Sequence, residues 1–335
     1  MALYLLLFVI GLLLLIKGGD WFVDGATAIA HRFHIPEILI GATVVSIGTT
    51  LPEVMVSATS AVNGIGEMAY GNAVGSIICN TSLIAALTIA LKPAIIQRKP
   101  LIVPSVFFLG AAIFTSVIAY TTGYFDRWVG IVLLVIFLIY ITIQVIAALK
   151  ETKIQNQELG ALESKEETDE NKEEEKNNDS IWKSLLLLVI GAAVIAVGAD
   201  LLVDNGVLIA KELGVPASVI ALTFVALGTS LPELVTAITS ILKGHGSLSL
   251  GNVIGANLFN FILVMGMSNT LAPFNIPAAK TIAGINSSLI LDIPLVFITM
   301  GLLLIPSLIK GKLYKWQGYL LLLIYVAFAI LQFTI

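Results

Sequence analysis

Residues 40–53, IGATVVSIGTTLPE, return as residues 220–233, IALTFVALGTSLPE, and residues 71–80, GNAVGSIICN, return as residues 251–260, GNVIGANLFN. The offset is 180 both times, and it holds without a gap across 40–93 and 220–273. About 19 of these 54 positions are identical, the mark of an internal repeat. Upstream, GGDWFVDG at 18–25 pairs with GADLLVDN at 198–205, and Pro36 pairs with Pro216. Shared leucines arise by chance in an apolar sequence. Glycine, proline, glutamate and asparagine in one register do not. The chain therefore divides into a first repeat at 1–149, a connecting segment at 150–180 and a second repeat at 181–335.

The repeats are built of membrane sequence. Of 335 residues, 58% are hydrophobic and only 12% charged, with a mean hydropathy of +0.99. A soluble domain runs near 25% charged and 45–50% apolar, so a soluble enzyme is excluded. The single cysteine, Cys79, excludes a disulfide scaffold. A net charge of −4 argues against a nucleic-acid partner. About 20 apolar residues cross a bilayer as a helix. Ten segments qualify, at about 2–28, 38–62, 69–91, 101–120, 127–149, 182–210, 217–242, 248–271, 286–306 and 315–334. The first has no basic stretch before it and no clean small-residue cleavage site after it, so it is expected to be a helix and not a signal peptide. Five helices per repeat is an odd number, so the second repeat enters the membrane from the opposite face. The expected fold is an all-α membrane protein of ten helices in two inverted-topology five-helix repeats. Inverted repeats of this kind characterise secondary transporters, whose sites lie at the repeat interface near the bilayer midplane.

Charge sets the orientation. Residues 151–179 hold 11 of the 22 acids and 4 lysines. That composition is expected to be a disordered, solvated tether. One side of the membrane collects Arg32, Lys92, Arg98, Lys99, the six lysines of 150–183, Lys243, Lys310, Lys312 and Lys315. The other has Arg127, Lys211 and Lys280. The basic side belongs in the cytoplasm, which places the 150–180 loop inside and both termini outside a cell membrane.

Ionisable groups inside hydrocarbon cost about 2.5–3.5 kcal/mol each, so they mark function. Glu53 and Glu233 each follow a proline, Pro52 or Pro232, within an apolar segment. Proline frees the carbonyl four residues back, here at Gly48 and Gly228, with Ser46 and Ala226 close to the same expected helix breaks. Thr49 and Thr229 lie one turn before each glutamate, on its face. Thr50 and Ser230 adjoin them, and the next helix of each repeat adds Asn80 and Asn260, with Ser76 and Ala256 one turn earlier. This is an all-oxygen donor set, suited to hard cations such as calcium or sodium and not to zinc or copper. Two carboxylates are neutralised by one Ca²⁺ or by two Na⁺. They cannot serve both at once, which is the physical basis of exchange.

At these residues the sequence resembles the sodium/calcium exchanger family of the cation/Ca²⁺ exchanger superfamily, in its prokaryotic form. GTTLPE with GNAVGSIICN, and GTSLPE with GNVIGANLFN, are similar to that family's two repeat signatures. The resemblance implies a secondary antiporter that exchanges Na⁺ for Ca²⁺ by alternating access; no cofactor and no enzymatic activity are expected, and the chain is expected to function as a monomer. It also implies that helices one and six slide across a fixed core. Carried over by position, Glu53, Glu233, Thr49 and Thr229 would hold calcium. Sodium would use Ser46, Thr50, Ser76, Ala226 and Ser230, with Glu53 and Glu233, and with Asn80 and Asn260 between them. Relatives that also carry potassium have Asp at the Asn260 position, so Asn260 resembles the potassium-independent branch. Some prokaryotic relatives have Ser where Ala256 stands, and Ala removes one sodium ligand. The alternative reading is a calcium or other divalent exchanger coupled to H⁺ or K⁺.

The remaining polar residues carry weaker signals. Asp20, Asp24, Asp200 and Asp204 recur in both repeats near helix ends and are candidates for an ion pathway. His31 and His34 are expected in a loop. Cys79 suggests packing, GHG at 244–246 a turn, and Asp292 has no assigned role. No GxxxxGK[ST] nucleotide motif is present, which disfavours a primary pump.

Overall fold

The computed structural model describes residues 1–93, 96–163, 181–213, 228–277, 281–282 and 284–334. In the first repeat α1 runs Ala2–Arg32, α2 Glu37–Val62, α3 Gly66–Leu91, α4 Arg98–Thr121 and α5 Arg127–Glu163. The second repeat has α6 at Ile181–Glu212, α7 at Leu231–Leu242, α8 at Gly246–Leu271, α9 at Ser288–Lys310 and α10 at Lys315–Thr334. Among the described residues nine helices are long and apolar enough to span a bilayer, and α7 is the shorter tenth. The expected seventh span, 217–242, has its first part outside the described residues.

Two short antiparallel pairings join the ends. β1 (Tyr124–Phe125) pairs with β2 (Phe274–Asn275), tying the α4–α5 corner to the end of α8. β3 (Thr281–Ile282) pairs with β4 (Ile285–Asn286) ahead of α9.

One expectation is corrected. The tether expected from residue 150 begins as helix, because α5 continues to Glu163. Lys, Glu, Gln, Ala and Leu dominate this stretch and are strong helix formers, and an established helix adds residues at little cost. Thr152 Oγ1 also donates to Phe33 O at 2.6 Å, fastening the extension beside the end of α1. Residues 164–180 lie outside the described residues.

The buried apolar residues form two bodies. The larger is built from α2–α5 and α7–α9, with Phe108, Tyr140, Phe259 and Leu303 at its centre and α10 packed against it. The smaller is α1 against α6, where Leu15, Phe22, Val23, Leu188 and Ile195 meet Ile40, Val45 and Leu248. Glycines seven residues apart let α1 and α6 touch backbone to backbone. A side chain at Gly11 would meet Leu202 N at 2.7 Å, one at Gly18 Ile195 N at 2.9 Å, and one at Gly198 Gly11 O at 2.9 Å. Small residues at such crossings are what helix association in lipid requires. The large exposed residues, among them Leu13, Leu138, Val189 and Leu323, face outward as a lipid-facing surface demands.

A candidate cation site at the repeat interface

Glu53 on α2 and Glu233 on α7 are completely buried. None of their four carboxylate oxygens has a hydrogen-bond partner among the described residues. The two are close enough to interact electrostatically, and Thr49 and Thr50 of the first repeat approach Glu233 of the second without closing a hydrogen bond to it. Thr50 Oγ1, Ser230 Oγ and both amide groups of Asn80 and Asn260 are likewise buried and unpartnered. An unsatisfied buried polar group costs about 1–3 kcal/mol and a charged one more. So many together, all oxygen-bearing, contributed by α2, α3, α7 and α8, form a donor set that fits a hard cation substrate.

Asn80 and Asn260 owe their place to local helix geometry. Each opens a π-helical segment, Asn80–Ala85 in α3 and Asn260–Met265 in α8, again at the offset of 180. A π-bulge widens a turn and recurs at functional sites. A third such segment, Gly41–Val45, lies in α2, where Tyr140 donates to Ala42 O at 2.8 Å.

The expected break at Pro52 is corrected. α2 continues as α-helix from Ser46 to Val62 with Pro52 inside it. In the second repeat a helix starts at Leu231, with Pro232 in its first turn, where a missing N–H has no cost.

The threonines are braced across the repeats by residues that the sequence reading passed over. Thr49 Oγ1 donates to Asn252 Oδ1 at 3.2 Å, and Thr229 Oγ1 donates to Asn72 Oδ1 at 3.2 Å. Asn72 and Asn252 are repeat mates from the two GN dipeptides, so their signal was the offset itself. Asn72 Nδ2 also donates to Ser57 Oγ at 2.8 Å and Glu53 O at 3.4 Å. Ser46 is buried, and its hydroxyl lies 2.6 Å from Gly41 O and 3.0 Å from Asn252 O. Ser76 and Ala256 are buried one turn before Asn80 and Asn260. Ala226 lies outside the described residues.

A cavity of about 780 Å³ separates α6 from α2 and α7 and reaches Gly48, Thr49, Pro52, Gly228, Thr229 and Pro232. Asp200 and Asp204 line it; their mates Asp20 and Asp24 do not, and both pair with Lys243. His31 lies at the end of α1 near Glu37, whose Oε1 is 2.7 Å from His245 Nδ1. His34 sits in the α1–α2 corner with φ of 52°. Cys79 is buried, and Asp292 accepts a hydrogen bond from Gln332 at 3.2 Å.

The family profile described as "Sodium/calcium exchanger protein" matches residues 3–146 and 183–334. An uncharacterized membrane protein of Methanocaldococcus jannaschii is 36% identical, over 95% of this chain and 94% of its own length. The sodium/calcium exchanger MaX1 of Methanosarcina acetivorans is 30% identical over 98% of both chains. Among solved structures, the sodium-calcium exchanger NCX_Mj soaked with Na⁺ and Sr²⁺ is similar with a TM-score of 0.79 and 33% identity over 97% of each chain.

Proposed function

The chain belongs to the sodium/calcium exchanger family and is a secondary antiporter of Na⁺ and Ca²⁺, not an enzyme; from that premise we propose how its residues do the work. Glu53 and Glu233 with Thr49 and Thr229 take calcium. Glu53, Glu233, Ser46, Thr50, Ser76, Asn80, Ala226, Ser230 and Asn260 take sodium. The observation that carries this reading is the pair of buried, unpartnered carboxylates supplied by opposite repeats. Their two charges are balanced by one Ca²⁺ or two Na⁺, so the two ions compete for one charge. In this reading the buried, unpartnered hydroxyls and amides take sodium beyond the two that neutrality requires, which makes exchange electrogenic. An emptied site would leave two buried carboxylates without a balancing charge, so the carrier changes face only when loaded. That condition couples the two fluxes.

Fourteen Lys and Arg residues against three support a cytoplasmic 150–180 segment and external termini in a cell membrane, with inward sodium driving calcium out. Proteoliposomes loaded with sodium and diluted into sodium-free buffer should accumulate calcium. Sodium on both sides should abolish the uptake, and Glu53→Gln should eliminate it. Uptake that follows an imposed proton or potassium gradient, and ignores sodium, would overturn this assignment of the coupling ion.

A further inference from the structure

The corner after α2 and the corner after α7 have one backbone. Asn63 ends α2 at φ −79° and ψ 7°, and Lys243 ends α7 at φ −79° and ψ −4°. Each is followed by a glycine at positive φ, Gly64 at 78° and Gly244 at 91°. Each turn closes with the same bond, Ile65 N to Ser60 O at 2.8 Å and His245 N to Ser240 O at 2.7 Å. Asn63 and Lys243 are separated by the repeat offset of 180, so they are mates at opposite faces of the molecule. Their side chains differ in charge, and so does what they do.

Lys243 Nζ lies 2.8 Å from Asp24 Oδ1 and 3.4 Å from Asp20 Oδ1, and donates to Asp20 O at 3.1 Å. It thereby ties α1 to the end of α7. At the other face Asp200 and Asp204 stand on α6 as the mates of Asp20 and Asp24, but the residue on the matching corner is the neutral, exposed Asn63. Asp200 and Asp204 meet no cation among the described residues and line the 780 Å³ cavity instead. A second cavity, of about 360 Å³, shares Met55 and Val56 with it and leads on to Asn63 and Ile65. Neither cavity is lined by Asp20, Asp24 or Lys243. The cavities thus run along α2 and α6 to the uncharged corner, while the charged corner is pinned.

We propose that Lys243 is a positioning residue that sets which face of the carrier rests open. The proposal depends on the alternating-access reading above, in which inverted repeats exchange conformations as one bundle rocks against the other. Here the rocking unit is the glycine-packed α1–α6 pair, whose apolar cluster is separate from the main core. In the opposite state the repeats swap roles. Asp200 and Asp204 then close onto Asn63, which cannot form an ion pair, while Asp20 and Asp24 leave Lys243. One state carries an ion pair that its inverted counterpart lacks. The three side chains are 27–53% exposed, and an exposed pair biases an equilibrium by about two- to fivefold. That bias points toward an open Asn63 face, the outer one in the orientation proposed above.

The test is the ratio of open to closed outer ends. It is read as two distance populations by electron–electron double resonance between spin labels at Val62 and Leu208, in the full chain in nanodiscs. Lys243→Asn should move the ratio about two- to fivefold toward closed. Asn63→Lys should move it the same way by giving the closed state its own pair. Asp24→Asn should behave like Lys243→Asn. Unchanged ratios in both Lys243→Asn and Asn63→Lys, with sodium-dependent calcium uptake intact, would overturn the inference and leave the transport reading standing. Loss of sodium dependence in the unsubstituted protein would instead overturn the reading on which the inference rests.

Discussion

Asn72 and Asn252 occupy equivalent places in the two repeats and are unequally bonded. Asn72 accepts from Thr229 and donates to Ser57 Oγ and Glu53 O. Asn252 accepts from Thr49, but its Nδ2 is buried without a partner, because the mate of Ser57 is Ala237. A net protein hydrogen bond contributes about 1 kcal/mol. Asn72→Ala should therefore cost about 3 kcal/mol of stability and Asn252→Ala about 1 kcal/mol. Calcium affinity measured by titration calorimetry should fall in the same order. Ala256 stands where the first repeat has Ser76, so Ala256→Ser adds an oxygen to the second repeat. The sodium concentration that half-inhibits calcium binding should drop in Ala256→Ser, with calcium affinity in sodium-free buffer nearly unchanged.

At the scale of the element, α1 and α6 are packed backbone to backbone. Their glycines let two backbones approach to contact, and any side chain there has to push the pair apart. Overpacking of this kind costs about 1–3 kcal/mol. Gly198→Leu should lower the thermal midpoint in detergent by several degrees and slow exchange. Gly110→Leu, on a face of α4 with nothing within 4 Å, should do neither. The π segments of α3 and α8 follow the same logic of local irregularity held by packing. Each starts at an asparagine of the candidate cation site, Asn80 or Asn260.

At the scale of the whole molecule, the stoichiometry of exchange decides whether the transport cycle is sensitive to voltage. Moving one net charge across 100 mV is worth about 2.3 kcal/mol, about fiftyfold in an equilibrium ratio. If more than two sodium ions exchange for one calcium, the calcium ratio reached by proteoliposomes at a potassium–valinomycin clamp should change about fiftyfold per 100 mV for each net charge. A ratio that ignores the clamp would mean that two sodium ions exchange for each calcium.

The sequence by itself determined the membrane class, the duplication at an offset of 180 and the inversion of the halves. Hydropathy and helix parity are local sums that need no tertiary contact. It also singled out Glu53 and Glu233 as candidates, because a carboxylate in an apolar helix is costly, and both are buried. The extent of α5 into the acidic segment was not legible, since composition that suits a solvated tether also suits a helix. The unbroken α2 was not legible either. Whether proline interrupts a helix depends on its tertiary setting, and here α2 runs on through Pro52, with a π segment ending seven residues upstream. The braces from Asn72 and Asn252, and the pairing of Lys243 with Asp20 and Asp24, join residues more than 150 positions apart. Only folding brings such partners together, because no periodicity within one helix records which helix lies beside it.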